Sequence, residues 1–145
     1  MAAMAALANE AVRKVVVGLV LVDVVPDPDP DVARQFLGGR GLLDGANPLV
    51  EDILASGPAL RASLAAADLP VLLVVGGRSP ICDAHAVERL AEAAGSLRVD
   101  EIEDAGHLVA RDTPATLAHT IGPMIEDWLN SPSPPKARFR EWGSA

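Results

Sequence analysis

Between Leu69 and His107 the sequence passes through an apolar stretch, a glycine turn, an amphipathic stretch, a second extended stretch and a histidine loop. Leu69-Pro70-Val71-Leu72-Leu73-Val74-Val75 is an apolar run stopped by Gly76-Gly77-Arg78-Ser79. Asp83 then opens a helix in which Val87, Leu90, Ala91 and Ala94 make one apolar stripe, ended by Gly95. Leu97–Ile102 is a more polar strand, with Arg98, Asp100 and Glu101, which suits a sheet edge. Asp104-Ala105-Gly106-His107 closes the unit in a tight loop. A strand, a crossover helix and a second strand form a parallel βαβ unit, with both of its loops at the carboxyl edge of the sheet. That edge is where parallel sheets hold their chemistry. The expected fold class is therefore α/β: a small parallel β-sheet with flanking helices.

The rest of the chain supplies support for this unit. Ala2–Val12 is rich in helix formers and runs into Arg13-Lys14, suited to a helix C-terminus. Val15–Val22 is apolar on both faces, the pattern of a buried parallel strand, and Asp23 ends it. Pro26-Asp27-Pro28-Asp29-Pro30-Asp31 predicts an extended, solvated connector, because each proline removes a backbone donor and fixes φ. Val32–Leu37 is expected to make a helical turn or two, and Gly38-Gly39-Arg40-Gly41 with Asp44-Gly45 a flexible loop. Asn47-Pro48 starts a helix with Leu49, Val50, Ile53 and Leu54 on one face. Gly57-Pro58 stops it, and Ala59–Ala67 forms the next. The last helix begins near Asp112-Thr113-Pro114, buries Leu117, Ile121, Met124, Ile125, Trp128 and Leu129, and is kinked by Pro123. From Asn130 the sequence turns to serine, proline and basic residues. Residues 1–129 are thus read as the folded part and 130–145 as a disordered tail.

Composition removes several function classes. Half of the 145 residues are apolar, so a packed core is expected, and with 3% aromatics it must be filled by Ala, Val and Leu. A formal charge of −8 argues against nucleic acid and anionic membrane surfaces as partners. The single cysteine, Cys82, excludes an internal disulfide and a cysteine zinc cluster, and fits a reducing, cytoplasmic setting. Neither Met1–Ala8 nor Val15–Val22 has the pattern of a signal peptide or membrane span.

The ordered set Leu19-Val20-Leu21-Val22-Asp23, Pro70-Val71-Leu72-Leu73-Val74 with Gly76-Gly77-Arg78-Ser79, and Ala105-Gly106-His107 resembles the C-terminal part of an α/β-hydrolase. Phe36-Leu37-Gly38-Gly39-Arg40 is similar to the segment that returns from the lid in that family. The resemblance implies a partial α/β-hydrolase fold and a family activity of hydrolysing small carboxylic esters or related acyl substrates. In the family a serine on a G-x-S-x-G elbow attacks, a histidine takes its proton and an acid orients the histidine. On this sequence the base position falls on His107. The acid position after the Gly-Arg-Ser turn is Pro80, which has no carboxylate. By this resemblance the elbow and the early strands are expected to be missing from the front of the chain, and most of the lid from between Asp31 and Phe36, so the isolated chain should show little or no activity.

Asp83 is the helix N-cap, and the nearest carboxylate to the lost acid position; it is taken with His107 as the candidate catalytic pair. Ser79 reads as a turn serine, since a second elbow glycine is replaced by Ile81. Cys82 behind Ile81 reads as a small core residue, and His85 and His119 as residues of helix surfaces. No spacing demands a metal, and no cofactor is expected. Two alternatives remain: a non-catalytic interaction or regulatory remnant, and a phosphate- or nucleotide-binding module built on the amides of Gly76-Gly77-Arg78-Ser79. If the neighbouring strand is absent, Val15–Val22 becomes an unprotected edge, and a homodimer pairing this strand with its copy is expected.

Overall fold

A computed structural model describes residues 1–38 and 48–131. Its centre is a three-stranded parallel sheet in the order β1 (Leu19–Val22), β2 (Pro70–Gly76), β3 (Ser96–Ile102). Leu19 lies opposite Val71 and Val22 opposite Val74, while β2 pairs with β3 from Pro70 opposite Ser96 to Gly76 opposite Ile102. The apolar run is thus the interior strand, buried along its whole length.

Alternation along the strands divides the core in two. Val71, Leu73 and Val75 of β2 join Leu19 and Leu21 of β1 on one face. That face is covered by α1 (Ala2–Ala6), α5 (Gly57–Ala67) and α6 (Ala84–Ala93), through Met4, Leu60, Leu64, Val87 and Leu90. Leu72 and Val74 face the other way, onto Val109 of α7 (Val109–Asp112) and Leu117 and Trp128 of α8 (Pro114–Asn130). The α/β expectation holds: helices lie on both faces of a small parallel sheet. Leu72, Leu73, Leu64 and Leu90 are fully enclosed, and truncating any one to alanine should cost about 2–5 kcal/mol.

Several local expectations are corrected. The predicted helix over Ala2–Val12 is two short ones, α1 and α2 (Glu10–Arg13). Asn9 accepts a hydrogen bond from the Ala11 amide and starts α2, while Arg13 donates to the carbonyls of Leu7 and Ala8 at the end of α1. The strand predicted over Val15–Val22 is confined to Leu19–Val22. Leu19 is opposite Val71, and the next residue back on the partner strand is Pro70, which has no amide to continue the ladder. Val15 is 77% exposed, and Gly18 lies against the indole of Trp128.

The Pro-Asp run is not a solvated linker throughout. Val25 and Pro26 are buried, and Asp27 is held by Arg61 and Arg89 from α5 and α6. Asp29 accepts from the amides of Asp31 and Val32, capping α3 (Pro30–Gly38) with Pro30 in its first turn. α3 is therefore longer than the predicted Val32–Leu37. Arg34 of α3 forms a two-pronged ion pair with Glu51 of α4 (Pro48–Ala55), at 3.0 and 2.9 Å. The expected break at Gly57-Pro58 separates α4 from α5, and Pro123 lies inside α8. The loop expected from Gly38 to Gly45 starts instead in α3, which includes Gly38, and the tail expected over 130–145 starts in α8, which includes Asn130; the rest of both, apart from Ser131, lies outside the described residues. Among the described residues, no helix is long and apolar enough to cross a membrane.

Candidate active site

The site forms where the carboxyl ends of all three strands meet. β1 runs one step past its last pair, and the amide of Asp23 donates to the Val74 carbonyl at 2.7 Å. Asp23 there adopts φ 49°, a left-handed turn that directs its carboxylate along the edge of the sheet rather than out of it. The residue is completely buried. After β2, the turn folds back: the Ser79 amide donates to the Gly76 carbonyl at 2.8 Å. After β3, the histidine loop is tied on both sides. The amide of Arg78 donates to the Ala105 carbonyl at 3.0 Å, and the Gly106 amide donates to Asp112 of α7 at 3.0 Å.

These constraints bring three donors onto one carboxylate. The Gly76 amide donates to Asp23 Oδ1 at 2.9 Å. Ser79 Oγ donates to Oδ2, and His107 Nδ1 lies 2.8 Å from the same Oδ2. His107 keeps 30% of its side chain accessible, and the ring of Phe36 from α3 meets it edge-on, with centroids 5.0 Å apart and planes at 77°. With the Nδ1 proton on Asp23, Nε2 presents its lone pair: the tautomer and orientation required of a general base.

The carboxylate on His107 is therefore Asp23, and the expectation placed on Asp83 is corrected. Asp83 is the N-cap of α6, its Oδ1 accepting from the Ala86 amide at 2.7 Å. A carboxylate committed to a helix N-terminus by backbone geometry is not free to turn onto another loop. Pro80 supplies no acid, as expected, but the turn containing it supplies two of the donors that hold Asp23. The local sequence marks Asp23 only as the end of a strand. The signal was present: an acidic residue directly after a buried apolar strand lies at the same carboxyl edge as the turns of β2 and β3.

The other chemistry-bearing residues are kept apart from Nε2. Ser79 is engaged with Asp23, and its oxygen also accepts from the Ile81 amide at 3.3 Å. Cys82 is buried in the apolar core; burial, then the charges of Asp23 and Asp83, push its thiol far up, so it stays protonated. His85 pairs with Glu88 on the exposed face of α6, and His119 with the Ala115 carbonyl on α8. Among the described residues, no group of three His, Cys, Asp or Glu side chains is placed to hold a metal ion. The turn amides proposed for phosphate are engaged internally: Gly76 with Asp23, Gly77 with the Ile102 carbonyl, Arg78 with Ala105 and Ser79 with Gly76. They leave no cradle of donors for a nucleotide.

No protein-family model matches the sequence. No curated protein matches it either. Solved structures do resemble it. An esterase of Mycobacterium tuberculosis superposes with TM-score 0.60 at 20% identity, over 86% of this chain and 59% of its own. An E-2-(acetamidomethylene)succinate hydrolase gives TM-score 0.55 at 18% identity, over 86% and 62%. A thermophilic esterase of Thermogutta terrifontis gives 0.53 at 20%, over 81% and 58%. The chain thus spans roughly three-fifths of the length of each of these structures, and its fold is a partial α/β-hydrolase fold.

Proposed function

We propose that this chain carries the acid–base half of a hydrolase site acting on small carboxylic esters or related acyl substrates. His107 is the general base and Asp23 the group that orients it and stabilises the imidazolium formed when it takes a proton. The observation that carries this reading is the 2.8 Å contact between Asp23 Oδ2 and His107 Nδ1, made by a buried carboxylate to a partly accessible ring. The esterases and hydrolases among the similar structures support the substrate class. Among the described residues no hydroxyl or thiol is hydrogen-bonded to Nε2, and the isolated chain is expected to be inactive.

The test reads the imidazole directly. In nitrogen-resolved NMR spectra, neutral His107 should carry its proton on Nδ1, and Asp23→Asn should move that proton to Nε2, because an amide nitrogen cannot accept it. An Nε2 proton in the unaltered chain would overturn the assignment. In parallel, a fluorophosphonate should leave the chain unlabelled. Stoichiometric labelling at Ser79, lost in His107→Ala, would show that Ser79 is a nucleophile and that the site is complete.

We propose further that the isolated chain self-associates through β1. Among the described residues this strand is an edge of the sheet, with exposed Val15 and Val17 just ahead of it. A second copy of the same strand offers matching backbone donors and acceptors.

A further inference from the structure

We infer that Ser79 is a positioning residue for His107, acting through Asp23 and setting how strongly the carboxylate holds the imidazole. This rests on the reading of His107 as the base, and adds a residue that neither the sequence pattern nor the pairing of Asp23 with His107 requires.

The geometry distinguishes Ser79 from an ordinary turn serine. Its hydroxyl oxygen accepts from the Ile81 amide, which leaves the hydroxyl proton directed at Asp23 Oδ2. Its backbone is fixed by the bond from its amide to Gly76 and by Pro80, which restricts the residue before it. The other carboxylate oxygen, Oδ1, is held by the Gly76 amide. Asp23 cannot turn away from either donor, so the serine hydroxyl and the imidazole share one oxygen. Each donor withdraws charge from the oxygen the other uses. Removing the hydroxyl leaves more negative charge facing His107, which stabilises the protonated imidazolium and makes the ring a less available base.

Of the other groups around His107, the protonated Cys82 thiol also hydrogen-bonds Asp23, as a weaker donor than a hydroxyl. Asp112 is held by the Gly106 amide and Arg111. Arg78 and Asp104 pair with each other on the exposed turn. From α3, the Phe36 ring brings no charge. Ser79 is the neutral donor placed on the oxygen that His107 uses.

The experiment is an NMR titration of the His107 ring in the 145-residue chain and in Ser79→Ala, Ser79→Thr, Ser79→Cys and Asp23→Asn. Loss of one hydrogen bond to a charged group predicts that the midpoint in Ser79→Ala moves to higher pH by about 0.5–1. Ser79→Thr, which keeps the hydroxyl, should titrate close to the unaltered chain, and Ser79→Cys, a weaker donor, should fall between. Asp23→Asn should move the midpoint to lower pH. Circular dichroism of each variant establishes that the ring is read in a folded chain, a condition the near-isosteric cysteine variant meets even if alanine does not. An unchanged midpoint in the alanine and cysteine variants, with Asp23→Asn still shifting it, overturns the role of Ser79 and leaves the Asp23–His107 pair standing. An unchanged midpoint in Asp23→Asn as well removes the pair and the inference built on it.

Discussion

Asp23 and His107, separated by 84 positions in the chain, are joined by a 2.8 Å contact at the carboxyl edge of the sheet. The contact exists because two parallel pairings set β1, β2 and β3 side by side, and because Asp23 turns left-handed at the last step of β1. Three donors depend on this one carboxylate. Asp23→Ala should therefore cost about 2–4 kcal/mol, from orphaned buried donors and a non-glycine residue left at positive φ. Asp23→Asn should cost less, since asparagine tolerates that backbone region and keeps an acceptor for Gly76. Urea unfolding of the two variants checks the order; equal losses would mean the backbone strain and the lost acceptor do not matter.

Gly76 is the second position where the site and the fold are inseparable. A Cβ there would lie 2.9 Å from the Ala105 carbonyl oxygen and closer still to that of Gly106, the residue before His107. Gly76→Ala must push the histidine loop away from β2, with a stability loss of about 1–3 kcal/mol. The Nδ1 proton of His107 should then exchange faster with solvent. A variant with full stability and an unchanged ring signal would show that the loop yields without moving the histidine.

Most of the layout was legible in the sequence, and the exceptions have physical causes. The β2–α6–β3 unit, the Asp83 cap and His107 were readable because apolar runs, a capping residue and a glycine–histidine loop are local signals. The partner of His107 was not, since it depends on which strand lies beside β2 and on a left-handed turn at Asp23, neither of which has a local signature. Strand length was overestimated for the same reason. Val15–Val17 have the residue types of a strand, but β2 begins at Pro70, whose missing amide interrupts the ladder before they could join it. The Asp27 clamp was also hidden, because both of its arginines come from helices distant in sequence.

Cys82 should be inert while the chain is folded. Its burial and the neighbouring carboxylates raise the thiol well above its ordinary 9.0, so the folded state holds this proton where the unfolded chain releases it. This contribution to stability is present below pH 9.0 and declines as the pH rises beyond it. Alkylation by iodoacetamide at pH 8 should be negligible in buffer and rapid in urea, and Cys82→Ala should flatten the alkaline decline. Rapid alkylation of the folded chain would place the thiol at the surface.

Strong acid should loosen the contact between α3 and α4. The Arg34 guanidinium, hydrogen-bonded and charge-paired to Glu51, lowers the Glu51 carboxyl below its ordinary 4.5. The pair's contribution is therefore complete above pH 4.5 and lost as the pH falls through the lowered value. Both side chains are exposed, so the effect on global stability is small and screened by salt. It should be visible locally, because α3 carries Phe36 onto His107. Hydrogen exchange of α3 amides should rise only as the pH falls well below 4.5 in the unaltered chain and already be raised at neutral pH in Glu51→Gln. Identical exchange in the two chains at neutral pH would mean the ion pair does not hold α3.

The proposed self-association is the outcome that depends most on the short length of β1. Four residues, Leu19–Val22, form the strand, and a brief edge is itself a modest protection against pairing. What favours pairing is the exposed apolar approach to it, with Val15 77% and Val17 42% exposed. A lysine at Val17 would be tolerated at the surface but would place a positive charge opposite its own copy in any two-fold antiparallel pairing centred on this segment. Sedimentation should show a concentration-dependent dimer for the unaltered chain, and Val17→Lys should be monomeric at the same concentrations with an unchanged urea midpoint. A monomer in both cases would mean that the edge is too short, or too well covered by neighbouring residues, to recruit a second copy.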